Sequence, residues 1–417
     1  MSKSKSASIL YDKATQVLLE ITKPYTPEGT TPEALAHQWI HALANDFNPF
    51  GEYEGVSKQE LVKVLEKNGI PSTSKVLKSI LRQAFPIASS TKQTFRFIDL
   101  FAGIGGMRIG FQNAGGVCVF SSEFDKHAQA TYFKNYGEIP FGDITKIPIE
   151  AIPPHDVLIA GFPCQPFSHA GLKLGIDDTR GTLFYEIARI LEINKPSVAV
   201  LENVKGLISH DGGYTLQVIL KTLSRIGYRC NIPVEIIEEG TPKLLQELAK
   251  RMVLKSCDFG VPQNRQRIYI VLWKNSTIKN FVYPKPIGVP TRVGDILEIN
   301  PDKKFTISDR LWAGHKQRKL LNQKNGKGFG YGLVTSDSSY TNTISARYYK
   351  DGSEILIAQK IDNPRKLTPR EAARLQGFPE VFEPSSSNMQ AWKQFGNSVS
   401  VPVVEMVAKS IRKQLLK

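Results

Sequence analysis

The sequence Phe97-Ile-Asp-Leu-Phe-Ala-Gly-Ile-Gly-Gly106 joins an apolar run to a glycine-rich turn. The run predicts a strand, and residues 107–113 predict a helix directly after the turn. Glycines let the backbone approach a ligand closely, and a helix N-terminus offers free N–H groups. The stretch therefore predicts a ligand-binding turn within an α/β domain, although many glycine turns only close a tight bend.

Two acidic residues follow this turn. Glu123 ends the next apolar run, where a carboxylate is placed to accept hydrogen bonds from both ribose hydroxyls of a nucleoside cofactor. Asp143, in Gly142-Asp-Ile-Thr145, is a candidate for bonding the adenine amino group of such a cofactor. Glycine turn, Glu123 and Asp143 in this order indicate a cofactor site more strongly than the glycines alone.

Short apolar runs alternate with helical patterns through residues 95–275, which favours an α/β fold with a mainly parallel sheet. Residues 276–362 are rich in Gly, Asn, Lys, Tyr and Ser and predict a loop-rich inserted domain, before helices return near 369–376 and 399–416 in a final part, 363–417. Strands are expected at 97–101, 117–121, 156–160, 198–201 and 268–272.

Residues 1–94 predict a separate, mostly helical extension. Ser57-Lys-Gln-Glu60 is typical of a capping box, and a second helix is expected through residues 76–81. Two short helices across Gly69 are compatible with a DNA-binding helix-turn-helix and with ordinary helical packing, and we favour packing.

Charge and composition restrict the class of protein. The chain has 417 residues, 41% of them hydrophobic, which suits two or three domains. Residues 276–362 hold 14 basic and 8 acidic residues and 363–417 hold 9 and 4, so most of the net charge of +15 lies in the last third. A basic zone attracts a polyanion such as nucleic acid, although a solvated basic surface gives the same count.

No apolar run is long enough for a membrane span, and the N-terminus lacks the apolar stretch of a secretory signal. We therefore expect a cytoplasmic protein. The four cysteines form no C-x-x-C pair and none has a histidine at zinc-site spacing, so we expect neither a disulfide framework nor a metal.

One cysteine lies in a sequence context that is not typical of a cysteine buried in the hydrophobic core. Gly161-Phe-Pro-Cys-Gln-Pro-Phe-Ser168 follows a buried run and places Cys164 at the carboxyl edge of the sheet, where open α/β sheets bind ligands. Prolines on both sides stiffen this loop. To act as a nucleophile, Cys164 must be largely thiolate.

Further polar residues are expected at the same edge. Leu201-Glu-Asn-Val204 ends a strand, and a carboxyl group such as Glu202, shielded from water near Cys164, can hold a proton and hydrogen-bond a heterocycle. Arg265 and Arg267 point to one side of an extended chain, where they form surface salt bridges or contact phosphate or a base oxygen.

In this order, these blocks resemble the DNA (cytosine-5) methyltransferase family, from about residue 95 to residue 410. The resemblance extends to Arg365-Lys-Leu-Thr-Pro-Arg-Glu-Ala-Ala-Arg-Leu-Gln-Gly-Phe-Pro379 and Gln394-Phe-Gly-Asn-Ser-Val399. It implies a Rossmann-like, S-adenosylmethionine-dependent domain of the bacterial restriction–modification type.

The resemblance also implies residue roles. Cys164 adds to C6 of cytosine, Glu202 hydrogen-bonds N3 and the exocyclic amine, and Arg267, helped by Arg265, holds the base oxygen or nearby phosphate. The cytosine must be flipped out of the duplex. The cofactor positions that the resemblance implies are Phe101, Gly103, Gly105, Gly106, Glu123, Phe124, Asp143, Ile144, Pro163, Leu183, Asn397 and Ser398.

By the same resemblance, residues 276–362 correspond to a target-recognition domain. Thr343-Ile-Ser-Ala-Arg-Tyr-Tyr-Lys350 is similar to a segment of methylases of short GC-rich palindromes, and Arg347 is a candidate for reading guanine. The neighbouring residues Tyr348, Tyr349 and Lys350 position phosphates or build the fold. The expected DNA contacts are Gln165, Ser168, Arg180, Arg347, Tyr348 and Lys350.

The resemblance implies double-stranded DNA as partner, a cognate restriction endonuclease acting on the same site, and a monomer. An RNA (cytosine-5) methyltransferase and a catalytically idle DNA-binding regulator are the alternatives. Residues 1–94 and 235–252 have no counterpart in the smaller family members.

Overall fold

The computed structural model describes residues 3–47, 56–87, 93–163, 183–274 and 278–416. The helices are α1 (Lys3–Thr22), α2 (Pro32–Asn45), α3 (Lys58–Lys67), α4 (Ser74–Ala84), α5 (Gly106–Asn113), α6 (Lys126–Tyr136), α7 (Leu183–Asn194), α8 (Tyr214–Arg225), α9 (Val234–Glu239), α10 (Pro242–Ala249), α11 (Asp309–Lys324), α12 (Pro369–Leu375), α13 (Asn388–Asn397) and α14 (Val401–Leu415). The strands are β1 (Phe95–Leu100), β2 (Gly116–Ser122), β3 (Val157–Gly161), β4 (Val198–Val204), β5 (Val253–Lys255), β6 (Gln266–Trp273), β7 (Leu333–Val334) and β8 (Leu356–Ile357).

The chain forms two compact units. The first consists of residues 1–253, 267–284 and 405–417, and the second of residues 254–266 and 285–404. In the first unit the strands lie in the order β2-β1-β3-β4-β6, and all neighbours are parallel except β4 and β6. This confirms the mainly parallel α/β sheet and all five expected strands, because runs such as Val157–Gly161 are apolar enough to be buried on both faces.

The N-terminal extension belongs to the first unit, where it covers the edge strand β2. Residues 34–45 of α2 are all buried, and Gln38 donates to the carbonyl oxygen of Val119 on β2 at 3.4 Å. An edge strand exposes unpaired backbone groups, and a covering helix removes them from water. The expected capping box is confirmed, since Ser57 and Glu60 bond each other's backbone N–H groups at the start of α3.

A buried ion pair lies beneath the extension. Arg108 of α5 donates from Nη1 to Oε2 of Glu138 at 2.9 Å, and the two residues are 3% and 6% exposed. Ser121 at the end of β2 donates to the other oxygen at 2.6 Å, and Nδ1 of His41 lies 3.8 Å from Oε2. Burial opposes ionisation of Glu138, but Arg108, His41 and Ser121 together hold its pKa below the usual value.

The second unit contains more helix than expected from its loop-rich sequence. The 16-residue helix α11 is capped by Ser308, whose side chain accepts from Leu311 N at 3.3 Å. Only His315 of this helix is buried among the described residues, so no apolar stripe marks α11 in the sequence. Helix α13 was likewise not expected, whereas α12 and α14 agree with the predicted helices near 369–376 and 399–416.

The unit boundaries differ from the expected domain boundaries. Residues 1–94 cluster with the sheet, and residues 363–404 cluster with residues 285–362. The second difference has a physical cause in Glu371 of α12, a fully buried carboxylate. It pairs with Arg365 at 2.7 Å and accepts from the backbone N–H of Glu298 at 2.9 Å, which ties α12 to the segment before α11.

Replacing Arg108 with Ala leaves Glu138 buried without its cation, so we expect a loss of about 3–5 kcal/mol in the free energy of unfolding. Urea denaturation followed by circular dichroism measures it. The control is Lys250→Ala, which breaks the exposed pair with Glu247 and should cost less than about 1 kcal/mol. Equal losses in the two variants would contradict a stabilising role for the buried pair.

Candidate active site

The glycine turn after β1 has a left-handed backbone. Phe101, Gly103 and Gly105 have φ angles of 56°, 55° and 79°, in the left-handed region that favours glycine. A Cβ atom at Gly105 would lie 2.5 Å from the hydroxyl oxygen of Tyr136, whereas nothing lies within 4 Å of the same position at Gly103. Gly105 is therefore required for packing, and Gly103 leaves open space beside the turn.

Glu123 connects this turn to the end of β2. Its Oε2 accepts from the N–H of Gly103 and its Oε1 from the N–H of Asp125, both at 2.8 Å. Burial raises the pKa of Glu123, although these two N–H groups act in the opposite direction. A carboxylate has about four lone-pair sites, so acceptor capacity remains for a ligand.

The Asp143 segment is attached to the same strand end. Phe141 donates from its N–H to Ser121 at 2.9 Å and accepts from the N–H of Glu123 at 2.8 Å. Asp143, two residues later, accepts from the N–H and the hydroxyl of Thr145 at 3.0 and 2.8 Å. The structure thus brings the glycine turn, Glu123 and Asp143 to one edge of the sheet.

A second polar pair lies at the carboxyl end of β4. Gly161 of β3 is in register with Glu202 of β4, and a Cβ atom at residue 161 would lie 3.5 Å from Oε2 of Glu202. Arg267 of β6 places Nε 3.3 Å from Oε1 of the same carboxylate. Glu202 is 8% exposed. The side chain of Asn203 donates to the carbonyl oxygen of Phe162 at 2.9 Å and so fixes the start of the loop after β3.

The loop that carries Cys164 continues beyond the described residues. Residues 164–182 lie outside them, and with them the predicted nucleophile and the predicted DNA contacts Gln165, Ser168 and Arg180. The neighbouring cofactor candidates are Pro163, which is exposed, and Leu183, which is half-buried at the first position of α7.

The sequence is similar to one known family over most of its length. The sequence model of the C-5 cytosine-specific DNA methylases matches residues 95–413. The chain belongs to this family. It is 50% identical to the Type II methyltransferase M.SsoII of Shigella sonnei, with 87% of this chain and 93% of that protein aligned. It is 38% identical to the Type II methyltransferase M.HhaI of Haemophilus parahaemolyticus, with 77% and 95% aligned.

Solved structures confirm the fold. The methylase resembles a DNMT2 variant of Spodoptera frugiperda with a TM-score of 0.59 and 21% identity, over 76% of this chain and 99% of that one. The S. pombe Dnmt2 methyltransferase gives the same TM-score at 22% identity, over 76% and 98%. The protein is a DNA (cytosine-5) methyltransferase, and its methyl donor is S-adenosylmethionine.

The residues at the sheet edge fit this cofactor. The buried Glu123 carboxylate suits ribose hydroxyls, Asp143 suits an adenine amine, and the space beside Gly103 suits close approach of a ligand to the backbone. Phe101 is half-buried, Phe124 is 73% exposed, and Gly106 and Ile144 are buried. Asn397 and Ser398 end α13 in the second unit.

The structure corrects the expectation that Arg265 and Arg267 act as a pair. Arg265 is 3% exposed and donates to three backbone carbonyl oxygens of the second unit: Ile344 at 3.2 Å, Gly396 at 3.3 Å and Ser398 at 2.5 Å. These contacts brace the methylase backbone. Arg265 precedes β6, so the side-to-side alternation of the strand does not include it.

The DNA contact predicted at Tyr348 is corrected as well. Tyr348 is fully buried, donates its hydroxyl to Ile355 O at 2.7 Å and accepts from Leu367 N at 2.8 Å. This side chain builds the fold. Arg347 and Lys350 on either side of it are exposed.

Two buried polar residues that hold the backbone near the candidate site were not identified from the sequence. Asp99 of β1 is 1% exposed, is hydrogen-bonded to the backbone N–H of Arg108 near the start of α5, and has its pKa raised by burial to about 8. Gln263 is fully buried, accepts from Ile344 N at 3.0 Å and donates to Leu375 O at 3.1 Å. Asp99 lies inside the quoted stretch 97–106, and Gln263 lies two residues before Arg265, but the sequence does not show which groups these side chains bond.

Replacing Glu123 with Gln removes an acceptor from a position where both oxygens are used. We expect the dissociation constant of S-adenosylmethionine to rise roughly 10–100-fold, the loss of one charge-assisted hydrogen bond. Isothermal titration calorimetry on the cofactor-free enzyme measures it. The matched control is Glu150→Gln, an exposed acid nearby in sequence. An unchanged dissociation constant for Glu123→Gln would remove this residue from the cofactor site.

Proposed function

We propose that the methylase transfers a methyl group to C5 of a flipped-out cytosine in a short GC-rich duplex site, through a covalent bond between Cys164 Sγ and C6. The observation that carries the proposal is the Glu202–Arg267 pair. It lies beside residue 161, three residues before Cys164, at the carboxyl end of parallel strands. Ligands of open α/β sheets bind at this edge.

The pair accounts for activation of the base. Arg267 holds Oε1 of Glu202, and Oε2 faces Gly161 of β3, the strand that ends three residues before Cys164. A Glu202 carboxyl group that carries a proton donates it as a hydrogen bond to N3 of cytosine, while a carboxyl oxygen accepts from the exocyclic amine. Both bonds withdraw electron density from C6 and favour addition of the thiolate there.

Cys164 thiolate forms the S–C6 bond, and the electron pair of the C5–C6 bond makes C5 nucleophilic. Bound S-adenosylmethionine would supply the electrophilic methyl group, whose bond to the sulfonium sulfur breaks as the bond to C5 forms, so that S-adenosylhomocysteine is the leaving group. Once C5 carries the methyl group, a base removes the C5 proton, the double bond re-forms, and Cys164 leaves as thiolate. Glu202 and Arg267 hold the ring through each step.

Access to the base requires its extrusion. C5 and C6 are stacked inside a duplex, so an enzyme that acts on them must flip the nucleotide into its pocket. We propose that residues 276–362 read the flanking sequence. In support, Arg347 and Lys350 are exposed on either side of a Tyr348 that is locked into the fold.

We further propose that the enzyme is a monomer in the cytoplasm and that a cognate restriction endonuclease acts on the same site. Two Type II methyltransferases among the relatives support the restriction–modification setting. Within the described parts of the chain, every helix is too short or too polar to span a bilayer.

Replacing Cys164 with Ser should abolish methylation, because a neutral hydroxyl is a far weaker nucleophile than a thiolate. Bisulfite sequencing of plasmid DNA from expressing cells measures it, with calorimetric cofactor binding as the check on folding. The control is Cys257→Ser, a half-buried cysteine of the second unit. Methylcytosine at one short site with wild type and control, and none with Cys164→Ser, is expected. Undiminished methylation by Cys164→Ser would contradict the covalent mechanism, and methylation of RNA alone would contradict the DNA substrate.

Replacing Arg347 with Ala should cost roughly 1–3 kcal/mol at one base pair of the site, because arginine bonds O6 and N7 of guanine together. Competition binding with singly substituted oligonucleotides measures the loss. The matched control is Lys350→Ala, three residues along on the same exposed segment, which should weaken all sequences alike and reduce the salt dependence. A uniform loss for Arg347→Ala would mark it as a phosphate contact instead.

A further inference from the structure

The loop before α2, residues 26–31, touches the segment that carries Asp143. The backbone N–H of Gly142 donates to the carbonyl oxygen of Gly29 at 3.1 Å. A Cβ atom at residue 142 would lie 2.3 Å from that oxygen. One at residue 29 would lie 2.9 Å from Cβ of Lys146 and 3.2 Å from the carbonyl oxygen of Asp143. Two backbones therefore meet directly, one residue before Asp143, with no room for a side chain.

Contacts within the N-terminal extension hold loop 26–31 in place. Gly29 has a φ angle of 81°, so its conformation excludes most other residues without strain. Thr31 caps α2 by accepting from the N–H of Ala34 at 3.2 Å. The ring of Tyr25 packs 6.1 Å from that of Trp39, which is fully buried in α2. The loop is thus anchored to a helix that is itself locked against β2.

The opposite side of the contact is the cofactor-binding edge. Gly142 lies between Phe141, which bonds Ser121 and Glu123 through its backbone, and Asp143. A shift of the backbone at Gly142 must therefore be passed to Asp143 on one side or to the end of β2 on the other. The N-terminal loop supplies the hydrogen bond that opposes such a shift.

We propose that loop 26–31 is a positioning element of the S-adenosylmethionine site, in which the Gly29–Gly142 backbone contact sets the place of Asp143 and so the affinity for the cofactor. The inference rests on the proposed role of Asp143 in cofactor binding. It assigns to the N-terminal extension a part in cofactor affinity that is separate from covering the sheet edge.

The chain offers a matched pair of substitutions. Gly29 and Gly69 both lie in the extension and have left-handed φ angles of 81° and 71°, but nothing lies within 4 Å of a Cβ atom at Gly69. Ala at either site carries the same backbone strain, and only Gly29→Ala pushes on the Asp143 segment. Calorimetric titration of the cofactor-free enzyme with S-adenosylmethionine, together with melting temperatures, separates the two effects.

We expect Gly29→Ala to raise the dissociation constant about fivefold relative to Gly69→Ala, the factor for one neutral hydrogen bond. In steady state, KM for S-adenosylmethionine should rise, with kcat and KM for DNA unchanged. Equal affinities for both variants, while Asp143→Ala binds more weakly, would overturn the inference and leave the cofactor role of Asp143 intact. Wild-type affinity for Asp143→Ala would remove that role and the inference with it.

Hydrogen exchange of the wild-type enzyme tests the same coupling without a variant. Since coupling between two sites is reciprocal, addition of S-adenosylmethionine should slow amide exchange in peptides covering residues 26–31 as well as 141–147. Slower exchange in 141–147 alone would contradict the inference, whether or not Gly29→Ala folds.

Discussion

The buried carboxylate of Glu138 is the group around which the first unit is organised. Arg108, Ser121 and His41 approach it from α5, β2 and α2, and α2 lies far earlier in the sequence than the other two elements. A carboxylate in this interior is very costly unless a cation and hydrogen-bond donors surround it, so all three elements must be in place together. The need to surround this carboxylate therefore constrains three parts of the first unit together. They are the helix after the glycine turn, the end of the strand before Glu123, and the N-terminal extension. The extension is part of the catalytic fold for this reason.

The sheet edge that carries Glu123 and Asp143 is built largely from backbone groups. Glu123 is oriented by two N–H donors, and Phe141 attaches the Asp143 segment to β2 through two backbone bonds. Such contacts leave side chains available for the ligand and fix them without long, flexible arms. They also explain the glycines, since Gly103 must leave space and Gly142 must admit the carbonyl oxygen of Gly29.

Local patterns predicted most of the sheet and the glycine turn that follows its first strand. Apolar runs, the capping box at Ser57 and the glycine turn are recorded within a few residues each, and they were found. The features that the sequence did not predict depend on contacts between residues far apart in the chain, which the spacing of residue types does not reveal. Helix α11 has no apolar stripe, and Tyr348 resembles a surface tyrosine until Ile355 and Leu367 are seen to bond its hydroxyl. The packing of residues 1–94 likewise depends on individual side-chain hydrogen bonds to backbone groups, such as that from Gln38 to the carbonyl oxygen of Val119.

Arg265 and Arg267 show how one short motif serves two tasks. Strand β6 begins at Gln266, so Arg267 takes part in its pairing, opposite Val204 and beside Glu202, while Arg265 does not. The guanidinium of Arg265 has five N–H donors in a fixed plane, and donation to three carbonyl oxygens uses that geometry as a rigid bracket. One bracketed segment leads into Arg347, and another ends α13 at Asn397 and Ser398. Arg265 therefore holds backbone segments of the second unit, whereas Arg267 faces the Glu202 carboxylate.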